Sequence, residues 1–547
     1  MKKELPIGVQ TFEKIIKGNY KYVDKTALVY KMAHEYSYVF LSRPRRFGKS
    51  LLMSTLEAYF GGRKDLFEGL KIMELEQEWT KYPVFHLDLN ANKYETPESL
   101  VEELNQFLVS HEKKYGTDST EKSLAMRFSG LIQRAAEQEG HPVVILVDEY
   151  DKPMLNAIGN PQLQEAFRSE LKAFYSVLKS QDRYIKFAFL TGVTKFGKAA
   201  IEREQSGACS NYAECEQARP KVKISVFSDL NHLADISMSE DFETICGFTE
   251  QEIRGNFNDE MAALAHKNDV SIEEAYSQLR ENYDGYHFNR FQTEGMYNPF
   301  SVLFTFKNLR FNDYWFETGT PTYLVTLLRN FNYQLDELTQ EQVTADVLNS
   351  IDPSSQNPIP VIYQSGYLTI SGYDEEFELY SLDFPNREVE RGFTRFLIPY
   401  YTPMTENNGP ATITQLVRDI RSGNVEAFMQ RLQAIFADTD YRIVGKRELY
   451  FQNAVTVIFK MLGFNVQTER PANGGRMDMI LQTGSYIYII EFKIDKSAQE
   501  ALQQIKEKGY HLPFTTDPRP TILIGVNFSS ETRGISEWIW KNEMTKS

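Results

Sequence analysis

Between residues 36 and about 198, short apolar runs alternate with longer segments whose apolar residues recur at three- and four-residue spacing. The runs are YSYVFL at 36–41, YPVFHLDL at 82–89, HPVVILVDEYD at 141–151 and YIKFAFLTGVTKF at 184–196. Between them, KSLLMSTLEAYF (49–60) and PQLQEAFRSELKAFYSVLKS (161–180) carry the helical period. That alternation predicts a parallel sheet covered by helices, an α/β domain.

Residues 199–222 break the pattern with small and polar residues and no sustained period, and read as an inserted loop. From 228 to 437 the chain is rich in aromatic residues, as in YDGYHFNRF, MYNPFSVL and YWFETGTPTYL, which usually serve core packing. Within it, VIYQSGYLTISGYDEEFELYSLDFPNREVERGF predicts a helix end, a strand, an acidic turn, a second strand and a helix after Pro385. That order resembles the hairpin and flanking helices of a winged helix, but Asp374, Glu375 and Glu376 in the turn repel phosphates and favour packing or regulation over DNA reading. GNVEAFMQRLQAIFADTDY is a helix closing this region, and a second α/β unit begins near Arg442. The expected layout is therefore a phosphate-loop domain over 1–227, a helical and winged-helix-like region over 228–437, and a smaller α/β domain over 438–547.

Composition narrows the class. Hydrophobic residues at 42% and charged residues at 25% are the balance of a folded globular protein. The net charge of -15 argues against a chain that coats nucleic acid by overall positive charge. Residues 440–547 hold 14 Lys+Arg against 12 Asp+Glu, so the acidity lies upstream and this tail is the better place to meet phosphates. Three cysteines (Cys209, Cys215, Cys246) make no disulfide framework. Cys209 and Cys215 lack a second ligand pair at zinc spacing and read as free thiols on the inserted loop. Met1-Lys2-Lys3-Glu4 leads into no apolar signal region, and no stretch reaches a membrane span. A cytoplasmic protein with no membrane partner is expected.

Candidate chemistry falls in two places. RPRRFGKS follows an apolar strand and opens a helix, where a phosphate loop belongs. Arg45, Arg46, Phe47, Gly48, Lys49, Ser50 and Leu51 form the candidate cradle: backbone N–H groups turn inward, Lys49 reaches phosphates and the Ser50 hydroxyl meets magnesium. The general motif starts with glycine where this chain has Arg43. VVILVDEYD compensates for that departure, because it delivers two carboxylates at the end of a buried strand. Asp148 is the candidate magnesium ligand with Ser50, and Glu149 the group that orients or deprotonates the attacking water. Thr191 and Thr194 end the next strand, where Thr194 is placed to sense a γ-phosphate; a mere strand-end cap is the alternative. Arg45, Arg46 or a neighbouring subunit can supply the transition-state cation.

The second place is residues 448–504. Glu491 and Lys493 in YIYIIEFKI point the same way from one strand, and Asp478 in GRMDMILQ lies on an adjacent one. Asp478 and Glu491 suit a divalent ion such as Mg²⁺ or Mn²⁺, with Lys493 positioning water or stabilising a pentavalent phosphate. An exposed hairpin with an ion pair is the alternative. Glu448 near the start of the preceding helix and Gln504 in the following one flank the set.

YKYVDKTALVYKM, LSRPRRFGKSLL, VVILVDEYDKP, FLTGVTKFGK and SVFSDLNHLADIS together resemble an AAA-ATPase-like family, and YDGYHF and YNPFSVL belong to the same pattern. GRMDMIL, YIYIIEFKID and EALQQIKEKGY resemble the PD-(D/E)XK nuclease superfamily. The resemblance implies ATP at Lys49, Ser50, Asp148 and Glu149. It further implies nuclease-type metal chemistry at Asp478, Glu491 and Lys493, with Glu448, a further candidate ion ligand, and Gln504 in support. The expected function is an ATP-binding and ATP-hydrolysing protein whose nucleotide state controls a Mg²⁺- or Mn²⁺-dependent nuclease acting on DNA or RNA, with homo-oligomers as a further expectation. The alternative is a nucleotide-dependent signalling or assembly switch with a silent nuclease fold.

Overall fold

The computed structural model describes residues 3–90, 92–195, 230, 232–291, 294–316, 342–349, 351, 357–401, 409–437, 458, 465–472, 475–529, 531 and 534–543. The inserted loop 199–222 and Glu448 lie outside them. The chain divides into two compact units, Met1–Trp315 with Glu341–Arg387, and Phe316–Gln340 with Glu388–Ser547.

The first unit is built on a sheet of β1 (Tyr38–Ser42), β2 (Val84–Asp88), β3 (Val143–Asp148), β4 (Ile185–Gly192) and β5 (Ala234–Asp235). All four pairings are parallel, in the order β2-β3-β4-β1-β5. Each of β1 to β4 falls on one of the four apolar runs, β1 extending one residue past its own to Ser42. VVILVD of β3 is buried throughout because helices cover both faces of a parallel sheet. Helices Lys49–Phe60, Pro97–Tyr115, Leu124–Glu139 and Pro161–Ser180 are the intervening segments. The last two begin where Ser123 and Asn160 accept from Met126 N and Leu163 N, satisfying orphan donors of the first turn.

The strand order matters for the site. β4 stands between the strand that feeds the phosphate loop and the strand that ends in Asp148, so the ends of all three converge at the carboxyl edge of the sheet, where open α/β sheets place their ligands.

Beside the sheet, helices Glu250–Asn256, Asn258–Asn268, Ile272–Tyr283 and Pro299–Asn308 bury Phe257, Leu264, Leu279, Tyr283, Val302 and Phe306 in one core. Thr249 and Ser271 each close a capping box with the glutamate three residues on, Glu252 and Glu274. A small antiparallel sheet follows: β6 (Gln342–Val343), β7 (Thr369–Asp374) and β8 (Leu379–Asp383), ordered β6-β8-β7. Helices Ala345–Asn349 and Ile359–Gln364 separate β6 from β7, and helix Arg387–Tyr401 follows β8. Helix, strand, acidic turn and strand follow in the order expected from the sequence, and the helix after them belongs from Glu388 on to the second unit.

The second unit carries β9 (Asn465–Ala472), β10 (Gly475–Gln482), β11 (Ile487–Ile494), β12 (Thr521–Ser529) and β13 (Gly534–Glu543), ordered β13-β12-β11-β10-β9. β11 and β12 are parallel and the other pairs antiparallel. The parallel pair needs a crossover, which the helix Ala498–Glu507 provides, with Leu502 and Ile505 packed on Ile489 and Leu523. Helices Gly409–Arg421 and Val425–Ala437 precede this sheet in the chain.

Candidate functional site

The phosphate loop turns between β1 and the helix Lys49–Phe60. Arg46 (φ 68) and Gly48 (φ 98) take left-handed backbone conformations, and a Cβ on Gly48 would meet nothing within 4 Å. Conformation, not crowding, therefore demands glycine at 48. The Lys49 ammonium is buried and donates to the carbonyl oxygens of Arg43 (3.1 Å) and Pro44 (3.3 Å), holding the loop closed around its own charge. Phosphate oxygens are the kind of acceptor that can take over those two bonds. Glu149 lies 3.7 Å from the same ammonium.

Arg43 is taken up by the protein's own backbone. Its guanidinium, 1% exposed, donates to the carbonyls of Ser42 (2.9 Å), Ser237 (2.7 Å), Phe242 (3.2 Å) and Glu243 (3.4 Å), and lies 4.1 Å from the centre of the Phe288 ring. It ties the start of the loop to the segment 237–243. Arg45 is half-buried, and its carbonyl accepts from Trp315 Nε1 at 3.1 Å. Arg46 is exposed, its guanidinium 4.9 Å from the Phe300 ring. Phe47 is buried edge-on against Tyr286 and Phe288, and Leu51 is half-buried in the first helical turn. The YDGYHF motif is thus the floor of the loop.

The loop also touches the winged-helix-like part of its own unit. Gly366 packs against Pro44, Trp315 stacks edge-on with Tyr367, and His287 N donates to Thr369 Oγ1 at 2.7 Å.

Acidic residues end both β2 and β3. Asp148 stands opposite Asp88 in the β2/β3 register, and Ser50 donates to its carboxylate. Burial, and then the charge of Glu149, push the Asp148 carboxyl above its ordinary range against the pull of Lys49 and Ser50. A divalent cation would meet that carboxylate and the Ser50 hydroxyl, both hard oxygen donors. Glu149 has φ 52, an uncommon conformation for a non-glycine residue and one that recurs at functional sites.

Asp151, which sequence reasoning passed over, is fully buried. Its Oδ2 accepts from Val193 N (3.1 Å), Thr194 N (2.6 Å) and Thr194 Oγ1 (2.5 Å). Burial and the Glu149 charge push it up to about 7. The Thr194 hydroxyl is therefore directed at Asp151, and that of Thr191 at Leu41 O (2.7 Å), which joins β4 to β1. The signal for Asp151 was present in the sequence, since DEYD ends with a third acid just beyond the strand.

In the second unit Glu491 is 1% exposed near the end of β11. Lys493 Nζ lies 3.2 Å from its Oε1, and Gln504 Nε2 donates to the same oxygen. The neighbouring helix gets there through Gly525, which pairs with Glu491 in the parallel register. A Cβ at 525 would collide with Ala498 O and fall 2.6 Å from Leu502 N, so only glycine lets the helix settle this close to the sheet. Asp478 lies in β10 next to Met479, whose register partner is Ile490, the residue before Glu491. The strands thus bring Asp478 and Glu491 to neighbouring positions. Among the described residues no cluster of three His, Cys, Asp or Glu side chains suited to a metal is present. No helix among them is long and apolar enough to cross a membrane.

A parallel sheet with a lysine-bearing loop and an acidic strand end defines a phosphate-loop nucleotide-binding protein, here joined to an α/β domain of nuclease type. The family model described as predicted AAA-ATPase matches residues 6–202, and that described as PD-(D/E)XK nuclease superfamily matches residues 446–538. A protein from Azotobacter chroococcum mcd 1, named as an uncharacterized protein in the vnfD 5' region, is 33% identical over 549 residues, covering 98% of both chains. The chain belongs to the predicted AAA-ATPase family and carries a C-terminal PD-(D/E)XK nuclease superfamily domain.

Proposed function

We propose that the chain binds and hydrolyses ATP with a divalent cation, and that its nucleotide state governs a metal-dependent nuclease centre acting on nucleic acid. The observation that carries the first half is the Lys49 ammonium, bonded to loop carbonyls and 3.7 Å from Glu149, with Ser50 on Asp148 beside it. Bound Mg²⁺ would neutralise phosphate charge there. Lys49 would bind the phosphates, Ser50 and Asp148 would hold the ion, and Glu149 would take a proton from the attacking water. Asp151 would hold the 193–194 turn, and with it Thr194, beside the nucleotide. In the second unit Glu491 with Asp478 would hold the ion, while Lys493 and Gln504 fix the Glu491 carboxylate. The acidic balance of the chain favours local contact with nucleic acid over broad phosphate binding.

The test is cleavage of plasmid, linear and single-stranded substrates in Mg²⁺ or Mn²⁺, with and without ATP, by the parent, Lys49→Ala and Glu491→Ala. Cleavage is expected from the parent, none from Glu491→Ala, and loss of the ATP response in Lys49→Ala. Equal cleavage by parent and Glu491→Ala would remove the nuclease assignment. Absence of cleavage together with nucleotide-dependent assembly abolished in Lys49→Ala would put a signalling or assembly switch in its place.

A further inference from the structure

The far edge of the second unit's sheet carries a self-complementary strand. β13 is terminal in its sheet, bonded on one side to β12, and among the described residues no strand pairs with its other side. It runs for ten residues, GISEWIWKNE, with Ile539 at 38% and Trp540 at 43% exposure. The helix Val425–Ala437 hydrogen-bonds to the strand at Ile535, whose carbonyl accepts from Gln433 Nε2 (2.8 Å), and at Trp538, whose Nε1 donates to Glu426 Oε2 (3.2 Å), and an edge with exposed apolar residues beyond such contacts is a template for another strand. Proteins usually blunt such edges with charge, and β13 does hold Glu537 and Lys541. Their spacing has the opposite effect, because both lie two residues from Ile539, in the order Glu-Trp-Ile-Trp-Lys.

We propose that β13 pairs antiparallel with β13 of a second copy, with Ile539 on the two-fold axis, joining two sheets into one. In that register Glu537 of each chain faces Lys541 of the other, Trp538 faces Trp540, and Ser536 faces Asn542. Opposite charges and aromatic pairs directly across two strands stabilise pairing, and a two-fold contact makes each of these pairs twice. Neighbouring registers lose them. Centring on Trp540 sets Glu537 against Glu543 and Ile539 against Lys541; centring on Trp538 sets Glu537 against Ile539.

The two charges are suited to the pairing. The Lys541 ammonium is well exposed and its carboxylate within the chain, Glu543, is 3.8 Å away. Lys506 stands beside it, and that second ammonium is pushed below its ordinary value by burial and by Lys541. An added carboxylate from a second copy would relieve this like-charge contact. Glu537 Oε1 accepts from Ala498 N at 2.6 Å, which fixes the side chain while its carboxylate retains acceptor capacity.

The experiment is sedimentation velocity on the full chain at micromolar concentration, with circular dichroism as the check on folding. The parent is expected as a dimer. Lys541→Glu sets one carboxylate against another at both cross-strand charge pairs and is expected as a monomer, and Ile539→Lys, which places two ammonium groups on the axis, likewise. Glu537→Lys is also expected as a monomer alone, and an equimolar mixture of Glu537→Lys with Lys541→Glu is expected to recover the dimer, since both cross-strand pairs are then opposite in sign. A monomeric parent overturns the proposal. So does a dimer that survives in both Lys541→Glu and Ile539→Lys, and a mixture that stays monomeric overturns the register.

Discussion

At Arg43 four carbonyl oxygens surround one buried guanidinium, so the residue that breaks the general loop motif is also the one that fixes the loop to segment 237–243. Arg43→Gly would bring the sequence closer to the general motif and yet is expected to lower stability by about 2–4 kcal/mol, because four acceptors lose a charged donor and a void opens. Urea unfolding of the first unit's signal reads this; an unchanged midpoint would show that the cage contributes nothing. Under the role proposed for Glu149 as the base, Glu149→Gln is expected to keep ATP binding and to lower turnover about 100-fold or more. Asp151 makes a pH prediction. Its carboxyl rises from 3.8 to about 7 on folding, so the folded state holds the proton more tightly, and stability falls as the pH climbs through that interval. In protein free of nucleotide and metal, Asp151→Asn should flatten this slope in a plot of thermal midpoint against pH; a slope equal to the parent's would count against it. The types and spacing of Lys49, Ser50 and Asp148 made them candidates in the sequence, and the fold brings Ser50 onto Asp148. The burial of Arg43 and the attachment of Thr194 to Asp151 were not legible there, because both depend on segments far apart in the chain.

Elements read well where one period dominates. The four runs of the first sheet and the hairpin around Asp374–Glu376 were visible as patterns, since burial on both faces or a turn between alternating strands leaves a local mark. β5 and β6, two residues each, leave no such mark. Strand β12 was not singled out, although TILIGVNFS is almost wholly buried, because its place beside β11 depends on a crossover and not on a neighbouring turn. The crossover supplies its own test. Gly525→Ala drives a methyl group into Ala498 O and Leu502 N, so the helix must shift and carry Gln504 away from Glu491. A loss of about 1–3 kcal/mol is expected, with metal-dependent cleavage reduced in the same variant at temperatures where it remains folded. Full stability with full cleavage would mean that the helix can move without cost.

Across the first unit as a whole, the phosphate loop rests on Tyr286 and Phe288 and meets the winged-helix-like sheet through Pro44, Trp315 and His287. Nucleotide binding is accordingly expected to slow amide exchange in 359–383 as well as in the loop, in the parent and not in Lys49→Ala; protection confined to residues 43–51 would show that the loop acts alone. The guanidinium cage has one more implication, for descent. Its acceptors are backbone carbonyls, so the cage constrains the path of 237–243 and not the identity of its side chains, and position 43 cannot become small unless the path changes with it. Kindred chains that begin this loop with glycine are therefore expected to differ in the length or course of the stretch after β5, so the two should be inherited as a pair.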